Sequence, residues 1–339
     1  MSIQVPPRSR RRTTSIRVNT TLLAAVLLAF AASVMLGRYP VGPGQLLAIM
    51  GGENLPGLSF IVLQDRLPAA CLGLLAGAAL GLSGAFFQTL LRNPLASPDV
   101  IGIGYGSSAA AVAGMLLFSL QGPPLMLAAF LGGLAVALLI HGLARSGRQV
   151  GGRLILAGIG VAALLQAVIQ YLLTRTDVNA AADALRWLTG SLNASTWERV
   201  LLLGTGLALV APLAVPAGSK LRILALGDDT AAGLGVRVAP TRLGLVLLGV
   251  ALCAMATAVT GPIAFVAFLS GPLARRLHGG RNNLTGAALA GALTVLAAAF
   301  LADNAFGDAS LPVGVVTGAL GAPFLLWLLV RTNKQGNGG

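Results

Sequence analysis

Apolar residues fall into long runs along this chain, and polar residues gather in short intervals between them. A helix that crosses a bilayer needs roughly 20 mostly apolar residues. Runs of that kind lie near 20–37, 67–91, 100–119, 124–143, 153–173, 198–215, 241–260, 262–277, 284–302 and 313–331. The two-residue alternation of a half-buried strand is not visible, and no polar stretch has the length of a separate soluble domain. The pattern predicts an all-α, polytopic membrane protein of about ten transmembrane helices. The eighth run is unusual, because Pro262 and Pro272 bracket its apolar stretch Ile263–Leu269. That stretch is too short to cross alone as a straight helix. Backbone groups freed by a break survive in lipid only where other helices cover them. This segment is therefore expected inside the bundle, against a pathway or a partner.

Composition narrows the class. Of 339 residues, 56% are hydrophobic and 10% are charged, against about 25% charged in a soluble domain. An ordinary cytosolic enzyme, a disordered chain and a soluble nucleic-acid binder are excluded. Glycine is abundant at 45 residues and aromatics make up 5%, which suits helices packed backbone to backbone in lipid. The net charge of +13 is no nucleic-acid footprint, since the Lys and Arg residues mostly separate apolar runs. With a cytoplasmic N-terminus, 18 of the 23 Lys and Arg fall on inner segments, Arg145 and Arg148 among them. Only Arg38, Arg66, Arg175, Arg186 and Arg199 are left outside, the asymmetry expected of a correctly threaded chain. Both termini are then cytoplasmic. Residues 1–19 read as a disordered basic cytoplasmic tail that anchors the first helix inward, the other reading being a patch for anionic membrane lipid or nucleic acid. Residues 20–331 form the transmembrane domain, with a cytoplasmic loop at 217–238, and 332–339 are a short C-terminal tail. Thr20–Gly37 is long enough for an uncleaved first span rather than a signal peptide. Cys71 and Cys253 lie inside apolar runs and form no metal pattern.

Several chemistries are missing. No G-x-x-x-x-G-K-[ST] loop exists, and neither Lys220 nor Lys334 follows a glycine, so this chain does not cradle ATP phosphates. No His-Glu-x-x-His motif exists, and His141 and His278 lie at or near loop ends. Ser83, in Gly81-Leu82-Ser83-Gly84, faintly resembles an intramembrane serine hydrolase, but no histidine at membrane depth is there to activate it. An ion-coupled secondary transporter, the alternative class, usually carries buried carboxylates or histidines at mid-membrane. Asp99 follows a helix-breaking turn on the cytoplasmic side, and Asp303 lies near the outer face. The pathway is then lined by small and apolar groups, and its energy source lies elsewhere.

One loop suggests where that source attaches. Within 217–238 the chain reads Leu224-Ala225-Leu226-Gly227-Asp228-Asp229-Thr230-Ala231-Ala232-Gly233-Leu234-Gly235. Asp228 or Asp229 is placed to cap a short helix that runs through Leu234, and Gly235 to end it in a left-handed turn. Such a helix between two spans reads either as a docking knob for a soluble partner or as a plain re-entry loop.

Taken together, Arg66-Leu67-Pro68, Gly77 to Gly84, Gln88 and Arg92-Asn93-Pro94-Leu95-Ala96-Ser97-Pro98 resemble the FecCD family. These are permease subunits of bacterial ABC importers for iron–siderophore complexes, haem and vitamin B12. The likeness continues through Gly102-Ile103-Gly104, Leu226 to Ala231, Gly261-Pro262-Ile263-Ala264-Phe265-Val266, Leu311 to Thr317 and Gly321-Ala322-Pro323. Asp228-Asp229 and Trp187-Leu188-Thr189-Gly190-Ser191-Leu192 look closest to the ferric-siderophore branch, particularly catecholate permeases. The resemblance implies a type II ABC importer permease in the bacterial cytoplasmic membrane. It implies a second permease subunit (a heterodimer, or a homodimer), an ABC ATPase dimer beneath and a siderophore-binding protein outside. It assigns ATPase coupling to Leu226, Gly227, Asp228, Asp229, Ala231, Leu234 and Gly235. The cytoplasmic gate falls to Asn93, Pro94 and Leu95, together with Gly151 and Gly152 in the loop before the fifth span. Binding-protein docking falls to Arg66. No catalytic residue, cofactor or resident metal is called for.

The chain departs from the family pattern at its outer face. Ala69 stands where a second arginine is common, and Asn304-Ala305-Phe306-Gly307 lacks the arginine that often follows the residue matching Asp303. Pro272-Leu273 replaces the family's Pro-His pair. A partner permease that carries the missing charges is one explanation, and it favours the heterodimer.

Overall fold

The computed structural model describes residues 8–99, 102–144, 150–306 and 310–336. Arg145, Arg148, Gly307 and the start of the basic tail lie outside the described residues. The chain is helical almost throughout, with no strand among the described residues. The elements are α1 (Arg8–Met35), α2 (Pro43–Met50), α3 (Leu58–Phe60), a π-helical turn (Ile61–Arg66) and α4 (Leu67–Leu90). Then come α5 (Ile103–Phe118), α6 (Gly122–Ala144), α7 (Val150–Thr174), α8 (Val178–Leu188) and α9 (Trp197–Leu224). The last are α10 (Asp228–Gly233), α11 (Val238–Thr260), α12 (Val266–Leu277), α13 (Leu284–Asn304) and α14 (Val313–Gly336).

Each of the ten apolar runs coincides with a helix. Seven helical stretches are long and apolar enough to cross a membrane, and Ile103–Phe118 and Val313–Leu326 are shorter apolar helices. The tenth is α12, only 12 residues long. As the short apolar stretch implied, α12 lies inside the bundle, with Val266 to Gly271 and Ala274 buried between α4 and α13. Its limits differ from the expected ones. Pro262–Ala264 is non-helical and Phe265 is left-handed at φ +64°, so the helix starts at Val266 and runs past Pro272. Pro272 is the seventh residue of α12 and offers no N–H to the Phe268 carbonyl, which accepts a side-chain donor from α4 instead.

The basic tail also differs. Arg8–Asn19 is helical and continuous with the first span, not disordered. At the other end, α14 continues as a helix to Gly336.

The centre of the bundle is α4, which touches α1, α9, α11, α12 and α13. Its Leu72, Leu80, Phe86 and Phe87 are among the largest fully buried side chains. Small residues make this crowding feasible. A Cβ at Gly81 would collide with the Ala287 carbonyl of α13, and one at Gly84 with the Ala267 carbonyl of α12. Without a hydrophobic drive between helices in lipid, such close van der Waals contact is what holds them. Gln88 adds a polar tie, its Nε2 donating to the Phe268 carbonyl at 3.0 Å. Ser83 Oγ donates to the Gly249 carbonyl of α11 at 2.6 Å, so the serine serves the same packing and is no activated nucleophile. Gly81→Val should destabilise the bundle by about 1–3 kcal/mol or more, the cost of overpacking a tight site. The thermal midpoint in detergent checks this, and an unchanged midpoint would count against the α4–α13 contact.

Motif fragments far apart in sequence meet at one end of the bundle. Ser191 N donates to the Thr260 carbonyl at 2.9 Å, and Gly314 N to the Gly190 carbonyl at 3.0 Å. Gly190 (φ +66°) and Gly261 (φ +73°) lie backbone to backbone, where no side chain would fit.

Candidate functional site

Four places in this bundle have the chemistry for a function. The first is the knob between α9 and α11. The chain leaves α9 at Leu224, turns at Gly227 (φ +120°), forms the six-residue α10 and leaves through Gly235 (φ +81°). Ala231 is fully buried against the neighbouring helices and anchors the knob, while Leu226 (64%) and Leu234 (60%) are exposed. Two exposed leucines flanking a short helix make an apolar contact surface. The expected aspartate cap is not formed. Gly227 is the N-cap, and no side chain bonds to the helix start. Asp228 falls in the first turn, so its carboxylate reaches sideways to two arginines instead. Asp228 Oδ1 accepts from Arg242 Nη2 of α11 at 2.6 Å and lies 3.6 Å from Arg92 Nη2. Arg92 Nη2 also donates to the Leu224 carbonyl at 2.9 Å. Asp229 is exposed and makes no ion pair among the described residues.

The second place is the turn after α4. Arg92 is left-handed at φ +51°, and Asn93 Oδ1 accepts from Leu95 N at 2.9 Å in an Asx turn that fixes the Pro94 bend. The same turn therefore holds the gate candidates Asn93, Pro94 and Leu95 and the arginine that reaches α10. Gly151 and Gly152 are not in a loop, since they fall in the first turn of α7. The segment after α4 meets α7 further along, where Gly102 (φ +86°) approaches the Gly158 carbonyl and Ala162.

The third is a cavity of about 540 Å³ between α5, α7, α8, the Pro262–Phe265 segment and Leu325 of α14. Its walls are mostly apolar, among them Ile169, Leu173, Leu188 and Phe268. Ser97, Asp99, Tyr105, Ser108, Gln166 and Gln170 put polar atoms into it. Asp99 Oδ2 is buried and has no hydrogen-bond partner. Asp99 follows the helix-breaking turn after α4, as expected, and lines this cavity. Gln166 and Gln170 are not among the residues singled out from the sequence; their four-residue spacing within the fifth run is the signal that sets them on one face of α7.

At the other end of the bundle, a depression of about 480 Å³ contains Arg66 with Arg38, Asp65, Asp303 and Asn193. Arg66 is half-buried. Its Nη1 donates to the Val34 carbonyl at 3.1 Å, and its guanidinium packs on Gly37. Arg38, from the segment after α1, is the more exposed cation here. Among the described residues, no group of three or more His, Cys, Asp or Glu is placed to hold a metal ion.

Comparison with known proteins agrees with this architecture. The model of the FecCD transport family matches residues 25–331. The ferric enterobactin transport system permease protein FepG of Escherichia coli (strain K12) is 40% identical, over 94% of this chain and 99% of that protein. The achromobactin transport system permease protein CbrC of Dickeya dadantii (strain 3937) is 39% identical, over 94% and 92%. The hemin transport system permease protein HmuU of Yersinia pestis is 35% identical, over 95% and 99%. A solved metal-chelate type ABC transporter in an inward-facing conformation superposes with a TM-score of 0.83 at 27% identity, covering 93% of this chain and 99% of that one.

Proposed function

The chain belongs to the FecCD transport family, and on that premise we propose that it is the membrane permease of an ABC importer for ferric siderophore complexes. It has no enzymatic role of its own, and a separate ATPase subunit, held at α10, supplies the work. The observation that carries this reading is the full-length likeness to permeases named for ferric enterobactin and achromobactin, joined to a built link between knob and turn. Haem and vitamin B12 are the alternative cargoes, and the hemin permease relative keeps haem in view.

The mechanism follows from what each group touches. ATP-driven closure of the partner dimer displaces α10, which it grips by Leu226 and Leu234. The Asp228 carboxylate passes that displacement to α11 through Arg242 and to the turn at Asn93-Pro94-Leu95 through Arg92. A displaced turn moves Ser97 and Asp99, which line the cavity. This is a shift between two discrete packings rather than a continuous bend. A second permease set against α7 and α14 would close the cavity into a conduit, and the exposed Leu156, Ile159, Leu164 and Tyr171 of α7 offer it an apolar face. In the cytoplasmic membrane, the arginine asymmetry puts α10 and both termini on the cytoplasmic side. Arg66 and Arg38 then face outward to the binding protein. Arg38 stands in for one of the family's missing docking arginines.

Two measurements test this. Uptake of iron-55 as ferric enterobactin, ferric citrate and haem is compared in a deletion strain with and without the gene. Restored uptake of a ferric siderophore is expected, and restoration by haem alone would move the cargo. At the outer face, Arg38→Glu with Arg66→Glu should slow binding-protein association roughly tenfold at low salt, with the difference shrinking as salt rises. An unchanged association rate in surface plasmon resonance would remove both arginines from the docking face.

A further inference from the structure

A cleft of about 990 Å³, separate from the cavity of α5, α7 and α8, lies where the start of α1, the end of α9 and the turn between α12 and α13 come together. Its floor is apolar, made by Leu82 of α4, Ala214 of α9 and Leu284 and Ala288 of α13. Its rim is cationic, with Arg222 on α9 and Arg281 in the turn. Among the described residues, no Asp or Glu lines it. Among those residues, neither arginine has a carboxylate partner. Arg222 Nη2 meets only the Ser219 hydroxyl, at 3.5 Å.

The order of these groups along the bundle matters. The apolar part of α9 ends at Ala214, and Arg222 lies roughly 12 Å further along the same helix at 1.5 Å per residue. The apolar parts of α1 and α13 begin at Thr14 and Leu284, beside the same rim. The cleft therefore runs from hydrocarbon depth to the charged boundary of the bilayer. Its walls are tied together. His278 Nδ1 is 2.7 Å from the Ala274 carbonyl, its Nε2 is 2.9 Å from Asn19 Oδ1 of α1, and Asn283 Nδ2 donates to Ser15 Oγ at 3.0 Å. Those bonds fix α1 against the turn and keep the cleft formed.

We infer that this cleft binds an anionic phospholipid, with the phosphate between Arg222 and Arg281 and an acyl chain on the apolar floor. Two uncompensated arginines above a hydrocarbon floor match a molecule that is anionic at one end and apolar at the other. Basic pockets between helices at the membrane surface hold anionic headgroups in this way. A soluble phosphate would use the rim and leave the floor unmatched. A zwitterionic lipid brings its own cation and leaves the arginine charge uncompensated. The inference does not depend on what is transported.

The test uses the full chain purified in detergent with equal amounts of phosphatidylglycerol and phosphatidylcholine, and native mass spectrometry to count retained lipid. Phosphatidylglycerol should be retained in preference. Arg222→Gln with Arg281→Gln should lower that retention about 25-fold, from roughly fivefold per surface arginine. Ala288→Phe, which fills the floor without touching charge, should lower it as well, and millimolar inorganic phosphate should not displace the lipid. Equal retention of the two lipids by the unaltered chain overturns the inference, whether or not the variants fold. So does retention unchanged in the double variant. Displacement by inorganic phosphate overturns it too, and reassigns the rim to a soluble anion.

Discussion

Asp228→Arg is expected to uncouple ATP hydrolysis from transport while the permease still folds and inserts. The aspartate is exposed on a six-residue helix, so the substitution leaves no cavity and buries no charge. It does put a third cation beside Arg92 and Arg242, in place of the carboxylate they share. An exposed ion pair is individually worth only about 0–1 kcal/mol. The larger effect is loss of the connection between α10, α11 and the turn after α4. Coupling between sites commonly amounts to roughly 5–150-fold, and ferric siderophore uptake should fall within that range. ATPase activity of the assembled complex should persist and lose its response to loaded binding protein. Arg242→Asp in the same chain should restore part of the uptake, because one arm of the bridge is rebuilt and Arg92 is again opposed by a carboxylate. Normal uptake by Asp228→Arg, with membrane levels unchanged, would remove α10 from the transmission path.

That bridge also shows where reading the chain stops. The helices of the ten apolar runs were legible because lipid enforces long apolar runs. The short eighth was legible because two prolines interrupt its run. The knob at Asp228–Gly233 was legible from its glycines and aspartates. The role of Asp228 was not, since a first-turn aspartate and an N-cap look alike until Gly227 adopts φ +120° and takes the cap position. Arg92 and Arg242 are far from Asp228 along the chain, and nothing local marks either arginine as its partner. The amphipathic α8 did carry an overlooked signal. Asp177 caps it, with Oδ1 accepting from Asn179 N and Ala180 N at 3.0 Å, the aspartate pattern expected at a helix start. The helical state of Arg8–Asn19 had no such mark, because its arginines read as a solvated tail. They extend a helix already nucleated by the apolar run, and propagation costs far less than nucleation. That Asp99 lines a cavity is not legible locally, because its segment breaks the helix and only packing against α7 decides which way such a segment turns.

Gln170→Trp should close the conduit. Gln170 is exposed on α7 and faces the cavity of about 540 Å³, so a larger side chain enters open space rather than a packed core. An indole brings roughly 150–250 Å² of surface, and the apolar walls at Ile169, Leu173 and Leu188 would hold it there. Uptake should fall to background, while ATPase stimulation by binding protein, which depends on α10, survives. Gln170→Ala keeps the passage open and should transport within about twofold, since removing an exposed amide far from packed features costs little. Transport by Gln170→Trp at the unaltered rate would place the route elsewhere in the bundle. Asp99→Asn in the same assay separates the two classes of energy source. Its Oδ2 has no hydrogen-bond partner to lose, so an ATP-driven permease should tolerate a neutral amide of the same shape. A carrier that loads a proton or cation on that carboxylate would stop, because an amide has no charge to offer. Retained uptake by Asp99→Asn, together with loss in Gln170→Trp, is the pair of results that a passive conduit worked from below requires.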